Sequence, residues 1–354
     1  MSGSNTFVRS VLPDGTTGFA DGIYFGMPNE DYHADPALGS SGLRDLLTGG
    51  PTFWWNSAMN PERKVKETRA LDFGSAVHAM VLEGEAEFLR LFAQKPNPEG
   101  ALVTYPDVKK WLLERGEAKV PRDKASAIAQ ARLVDPAVRI LDLEEQAIKD
   151  AGRTILSDDD WARVQIASAI IRANPQLRTA FRNGCAEVSV FWTVDGVRVK
   201  CRFDYLKPRA NVDLKTIGHT MDMSFPVACR TAIARRKMDV QAAHYMEGRK
   251  QFRRLHQEGR VFGDHDPAFA LAVAAADDWG WAWVFIQSVE APLTWATSLR
   301  RQNPILEIGW HQCLRALDVY RDHMTRFGRD QMWLLAEPVE ELDQSEMPGW
   351  WAQR

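Results

Sequence analysis

The residues best spaced for chemistry lie between Val197 and Tyr245, in VRVKCRFDYLKPRANVDLKT and, after a gap, QAAHY. In a strand, alternate side chains share a face, so Asp213 and Lys215 of VDLKT point one way while Leu214 turns towards the core. The preceding run alternates too, with Val197, Val199, Cys201, Phe203 and Tyr205 on one side and Arg198, Lys200, Arg202 and Asp204 on the other. Asp204 thus falls on a polar, basic face. If the two strands pair across the short LKPRAN connection, Asp204 and Asp213 converge on one hard divalent cation with Lys215 beside it. That set suits phosphodiester hydrolysis, in which a metal activates water, a second metal can stabilise the leaving oxygen, and a cation offsets developing charge. Oxygen ligands favour Mg²⁺ or Mn²⁺ over zinc. Asp-x-Lys alone also occurs at solvated strand ends of many sheets, so its neighbours decide its meaning.

Those neighbours begin with AEVSVFWTVDGVRVKCRFDYL, two alternating runs joined at Asp195-Gly196, the pattern of a β-hairpin. Glu187, near the start of its first strand, can add a carboxylate from next door. Upstream, ALDFGSAVHAMVLEGEAEFLRLF reads as a helix with Leu71, Val77, Met80, Val81 and Leu82 on a broad apolar surface and His78 among them. Downstream, Pro226 begins one helical stretch and a longer helix runs from about Asp239 to Glu258. On it Gln241 and Tyr245, four apart, share a face that reaches the polar edge of the sheet. Arg230, Arg235, Arg236, Lys237, Arg249, Lys250, Arg253 and Arg254 make this the most basic region, read as a phosphate-tracking groove. In SSGLRDLLTGGPTFWWN, Ser40 or Ser41 caps a short helix closed by Gly49-Gly50-Pro51. Arg44 on it is either a surface arginine or a phosphate contact; Phe53, Trp54 and Trp55 pack it onto the body, with base stacking the lesser alternative.

At 354 residues, 45% hydrophobic and 26% charged, the chain can bury a large core. A net charge of -3 excludes a generally basic nucleic-acid coat and requires a local patch instead. The four cysteines, at 185, 201, 229 and 313, have no metal-site spacing and read as reduced thiols of a cytoplasmic protein. The first residues lack signal-peptide order, and Asp277 and Asp278 interrupt the most apolar run. Residues 1–38 read as an irregular arm. Residues 93–156 read as a helical insertion of two or three short amphipathic helices with turns at Gly116, Pro121 and Asp135-Pro136. Its basic first half suits either a small helical DNA grip or a solvated surface. Ser157 caps the helix after it, with Asp158, Asp159 and Asp160 in the first turn. WAWVFIQSV and TWATSLR read as strands, PILEIGWHQCLRALDVYRDHM as a helix, and residues 331–354 as a tail packed on the body.

The order His78, Glu187, Asp204, Asp213-x-Lys215, Gln241-x-x-x-Tyr245 resembles the PD-(D/E)XK nuclease superfamily, its RecB-like branch, and most closely the RecE-type (exodeoxyribonuclease VIII-like) domain of phages and prophages. The resemblance spans YHADPALGSSGLRDLL, FGSAVHAMVLE, AEVSVFW, RFDYLKP, VDLKT and QAAHY. It implies an α/β (α+β) fold, a central mixed β-sheet flanked by helices, within a domain over 39–330. It further implies His78, Asp204 and Asp213 as metal ligands with the Leu214 carbonyl, and Lys215 orienting the attacking water. Glu187 would bind water at the metal or position Lys215, and Gln241 and Tyr245 would hold the substrate strand. Asn211-Val212 stands where the family name puts proline, and no cysteine precedes His78 to build the iron-sulfur cluster of some relatives. The implied activity is Mg²⁺-dependent degradation of linear duplex DNA from the 5′ end, leaving 3′ overhangs for a RecT/Bet-like annealing partner in recombination. The subunits would form a homo-oligomeric ring in the bacterial host's cytoplasm. Another nuclease mode on this fold, or a DNA-binding protein without activity, are the alternatives.

Overall fold

The Asp195-Gly196 turn folds as its residue types require. Both residues have positive φ (47° and 80°), the conformation of a two-residue hairpin that follows strand twist. It joins β2 (Cys185–Val194) to β3 (Val197–Lys207), and a second two-residue turn at Pro208-Arg209 leads into β4 (Ala210–Ile217). These three strands are the middle of a seven-stranded mixed sheet in the computed structural model, which describes residues 7–12, 15–64, 69–218, 223–334 and 341–351. The other strands are β1 (Gly22–Tyr24), β5 (Val261–Phe262), β6 (Gly280–Gln287) and β7 (Thr294–Leu299), in spatial order β7-β6-β4-β3-β2-β1-β5. β6 runs parallel to β4, which requires a long crossover between them. The expected mixed sheet flanked by helices is present.

Each face of the sheet carries its own core. One buries Val199, Cys201, Phe203, Trp281 and Trp283 under α2 (Ser40–Leu46), α6 (Met238–Gln257) and α7 (Pro304–Phe327). The other buries Tyr205, Val212, Leu214, Val284 and Ile286 under α3 (Arg69–His78) and α4 (Asp158–Ala173). α4 starts as expected, the Ser157 side chain accepting from the Asp160 backbone N–H. Between the cores, Asp213 and Leu214 point to opposite sides of one strand.

Several expectations need correction. The segment expected as an irregular arm supplies β1 to the sheet and a helix, α1 (Asn29–Ala34). The basic side chains of β3 are spent on holding that arm: Lys200 Nζ donates to the carbonyls of Tyr32 (2.5 Å) and Asp35 (2.7 Å), and Arg202 to that of Met27. The long helix expected around His78 is interrupted. α3 ends at His78, a π-helical turn covers Ala79–Glu83, and Gly84 at φ 99° redirects the chain into Glu85–Leu91. The side chain of Leu71, expected on its apolar face, lies outside the described residues. Gly39, not a serine, precedes α2, and no side chain caps it.

The segment expected as a helical insertion contains helices Tyr105–Glu114, Lys124–Val134 and Leu141–Asp150 around a small core of Val108, Leu112, Ala127, Ala131 and Ile140. Its two ends meet in a parallel ladder of Phe92–Gln94 with Thr154–Leu156. In the C-terminal segment Trp333 is buried against Phe53, while Trp350 and Trp351 are exposed.

Candidate active site

β3 and β4 pair only near their shared turn, from Lys207↔Ala210 to Tyr205↔Val212. One step further Asp204 stands opposite Asp213, and there the ladder stops. Asp204 Oδ2 instead accepts from the Leu214 backbone N–H at 2.8 Å. On the other side of β3 the pairing with β2 is interrupted at the same level, between Ala186↔Tyr205 and Val188↔Phe203. Glu187, facing this gap, has φ 55°, a left-handed backbone that costs a glutamate about 1–3 kcal/mol. The distortion breaks the expected alternation: Phe203 packs on Tyr245, while Tyr205 turns to the other face against Phe181. The strands therefore part around a cleft whose walls carry Glu187, Asp204, Asp213 and Lys215.

His78 enters the cleft from the end of α3, where the chain loosens into its π turn; such turns recur at functional sites. Its Nε2 lies 2.8 Å from the Leu214 carbonyl oxygen and 3.8 Å from Asp204 Oδ2. Ligand atoms of His78, Glu187 and Asp204 all fall within 4.8 Å of one another. Lys215 Nζ is 2.7 Å from both Asp213 oxygens, and Gln241 Nε2 donates to Oδ1 at 3.0 Å. Oδ2, though close to the ammonium, receives no aligned hydrogen bond and is buried. Lys215 Nζ also lies 3.9 Å from Asp204 Oδ2. Of the expected ligands, His78, Asp204 and the Leu214 carbonyl come together. Glu187 joins His78 and Asp204 as the third side chain of this group, and Asp213 faces Lys215 and Gln241.

Burial sets the electrostatics. It pushes the Glu187 carboxyl up to about 8, helped by the Asp204 charge, and Asp213 up to about 7 against the pull of Lys215. Burial raises Asp204 too, again opposed by Lys215. Burial disfavours the Lys215 ammonium, but Asp213 and Asp204 outweigh it and hold its pKa above the ordinary value. His78 is pushed down to about 4 by burial and by Lys215, so its imidazole is neutral at pH 7. Crowded carboxylates that resist ionisation and a neutral imidazole make a site that a divalent cation would stabilise by displacing protons. Three carboxylates (Glu187, Asp204 and Asp213), a backbone carbonyl and one imidazole form an oxygen-rich donor set fitting a hard cation.

The remaining expected residues divide. Arg44, on α2, donates to the Arg236 carbonyl at 3.1 Å, and its charge acts on Lys215. Arg235 and Arg236 are exposed where α5 (Phe225–Arg235) meets α6, and Lys237 follows in the left-handed conformation at φ 49°. Arg249 departs from the expected groove: it is 1% exposed, bonded to the Pro208 carbonyl and packed over Trp279. Arg253 is committed to the carbonyls of Ala274 and Ala276 and to Asp277. Lys250 and Arg254 pair with Glu247 and Glu258. Helical period placed these side chains on α6, but what they pack against is tertiary. Gln241 and Tyr245 also depart from a strand-holding role. Both are buried, Gln241 on Asp213 and Tyr245 between Phe203 and Trp281 with its hydroxyl near Ser40.

Two residues near the cleft escaped sequence reasoning. Arg202, buried, sits 3.8 Å from Glu187 and ties it to the segment before α1. Ser40, expected as a cap, meets Tyr245 instead. Alternation put Arg202 on the Asp204 face, but nothing in the sequence signalled its burial.

The family model described as "PDDEXK-like domain of unknown function (DUF3799)" matches residues 55–263 of the 354. Among solved structures, the chain is similar to a crystal structure from Eubacterium rectale of a protein provisionally named an exonuclease, at 13% identity and a TM-score of 0.47, covering 84% of this chain and 88% of that one. No curated protein matches the sequence. Among the described residues, no helix is long and apolar enough to cross a membrane.

Proposed function

This chain belongs to the PDDEXK-like family, and from that premise we propose that it is a metal-dependent DNA nuclease, an exonuclease acting on linear duplex ends. The observation that carries the reading is the meeting of His78, Glu187 and Asp204 beside the Lys215 ammonium. Glu187, Asp204 and Asp213 crowd together beside Lys215 and Arg202, an arrangement that stability alone disfavours, since like charges in a partly desolvated cleft are costly. Degradation from the 5′ end, a RecE-type relationship, a ring of subunits, a RecT/Bet-like partner and a phage origin rest on the sequence resemblance alone.

His78, Asp204 and the Leu214 carbonyl, with Glu187 and the Asp213 carboxylate that faces Lys215, would hold the cation, Mg²⁺ with Mn²⁺ as substitute. When bound, it supplies a lowered water pKa and neutralisation of phosphate charge. The chain's own groups do the rest. Asp213 fixes the Lys215 ammonium, and Gln241 fixes Asp213. Lys215 can then hydrogen-bond the attacking water and stabilise negative charge on the phosphate as it develops. Arg202 holds Glu187 in its strained conformation. Arg44, Arg235, Arg236 and Lys237 offer cations to the flanking phosphates, positioning the strand without reading bases.

The test is cleavage of linear duplex with Mg²⁺, comparing 5′-labelled, 3′-labelled and covalently closed circular DNA. Label released first from the 5′ end with circles intact is the expected result. Cut circles would make the protein an endonuclease, and no cleavage of any substrate would leave a DNA-binding role.

A further inference from the structure

A second polar site lies on the face of the sheet covered by α4, in the turn that connects α4 to β2. Here Ser168 and Arg172 of α4, Arg178 and Arg182 of the connection, and Val81 of the π turn line a cavity of about 100 Å³. No carboxylate lines it, and none of the three guanidiniums has an ion pair or hydrogen bond among the described residues. All three are solvent-exposed, so water screens their mutual repulsion, and together they give the cavity a positive potential that favours an anion. Ser168, 3% exposed, supplies an independent sign: the residue lines the same cavity, and its hydroxyl, buried at the cavity wall, has no hydrogen-bond partner. A helical serine ordinarily bonds a carbonyl of the preceding turn. Here its donor and acceptor remain unused.

The cavity has room for one tetrahedral oxyanion with water beside it. Arginine forks match the oxygens of a phosphate group, and a hydroxyl can complete them. We propose that this cavity is a phosphate-binding site, made by Arg172, Arg178, Arg182 and Ser168 and separate from the metal cluster.

Its position connects it to the cleft. Val81 lies three residues beyond His78 on the π turn, Phe181 packs on Tyr205 at 5.8 Å next to Asp204, and Arg182 precedes Glu187 by five residues, a reach of at most about 18 Å. A nucleic-acid phosphate held here sits within a few nucleotides of the cleft. That use rests on the nuclease reading, whereas the anion site itself does not. The phosphate can come from within a strand or from its 5′ terminus.

Calorimetric titration of the full chain with inorganic phosphate, in metal-free buffer, tests the site directly. The wild type is expected to bind. Arg178→Gln/Arg182→Gln and, separately, Ser168→Ala should weaken binding at least about fivefold with thermal stability retained. Equal affinity in wild type and variants, or no binding to the wild type, overturns the proposal. Duplex binding in Ca²⁺ then separates the sources. Loss of affinity by the double variant only for 5′-phosphorylated ends assigns the terminal phosphate; equal loss on 5′-hydroxyl ends, with a salt slope shallower by about one to two, assigns an internal one. Phosphate binding without cleavage of any DNA would uphold this site and sink the nuclease reading. Cleavage with unaltered phosphate affinity in the variants would do the reverse.

Discussion

Lys215 touches both acids that the strand pattern brings together, at 2.7 Å from Asp213 and 3.9 Å from Asp204. Asp213 is itself held by Gln241, which makes Gln241 a positioning residue. Replacing it by leucine should lower cleavage or metal affinity by about tenfold, the usual cost of losing a hydrogen bond behind a ligand; kinetics across a Mg²⁺ titration would read it, and unchanged values would sever Gln241 from the chemistry. Another buried group governs stability. His244 is 2% exposed, stacks on Trp192 and bonds the Lys200 carbonyl; burial lowers its pKa from 6.5 to about 4. Between these values the unfolded chain takes up a proton that the folded chain refuses. Its contribution is therefore complete above pH 6.5 and declines as pH falls towards 4, by on the order of 3 kcal/mol. Denaturant midpoints at pH 7.5 and 5 should diverge less in His244→Gln than in the wild type, and equal divergence would contradict this.

At the scale of elements, the site exists because β3 and β4 share one turn and then separate. The alternation of VDLKT and the brevity of KPRA made Asp204, Asp213 and Lys215 legible, because those patterns are local. Glu187 was legible as a nearby carboxylate, but its positive φ was not, since the interruption of pairing that imposes it involves two neighbouring strands. For the same reason Tyr205 was assigned to the face of Phe203. Arg249 and Arg253 were misread because charge reports solvation only until tertiary contacts are known, and carbonyls at Pro208 and Ala274 claim them. The support behind the cleft depends on close helix contact. A Cβ added at Gly309 of α7 would come within 2.4 Å of the Asp239 carbonyl oxygen on α6. Backbone cannot yield as a side chain can, so Gly309→Ala should destabilise the protein by about 1–3 kcal/mol. An unaltered chemical denaturation midpoint would show that the two helices are not pressed together there.

For the whole molecule, a net charge of -3 has to be reconciled with DNA as substrate. Local cations achieve that. Arg44, Arg235, Arg236 and Lys237 cluster by the cleft, while the later arginines of α6 are spent internally. In the proposed ring only the inner surface need be basic, so light scattering at micromolar concentration should give a multiple of the 40.0 kDa subunit. A 40.0 kDa species that cuts non-processively would contradict the ring and leave the site untouched. Whether the cleft between β3 and β4 performs hydrolysis is tested most directly by the rate of Lys215→Ala on linear duplex with Mg²⁺. Cleavage should fall by at least about 100-fold while duplex binding in Ca²⁺ stays nearly intact. A folded Lys215→Ala protein cutting at the wild-type rate would place the chemistry elsewhere.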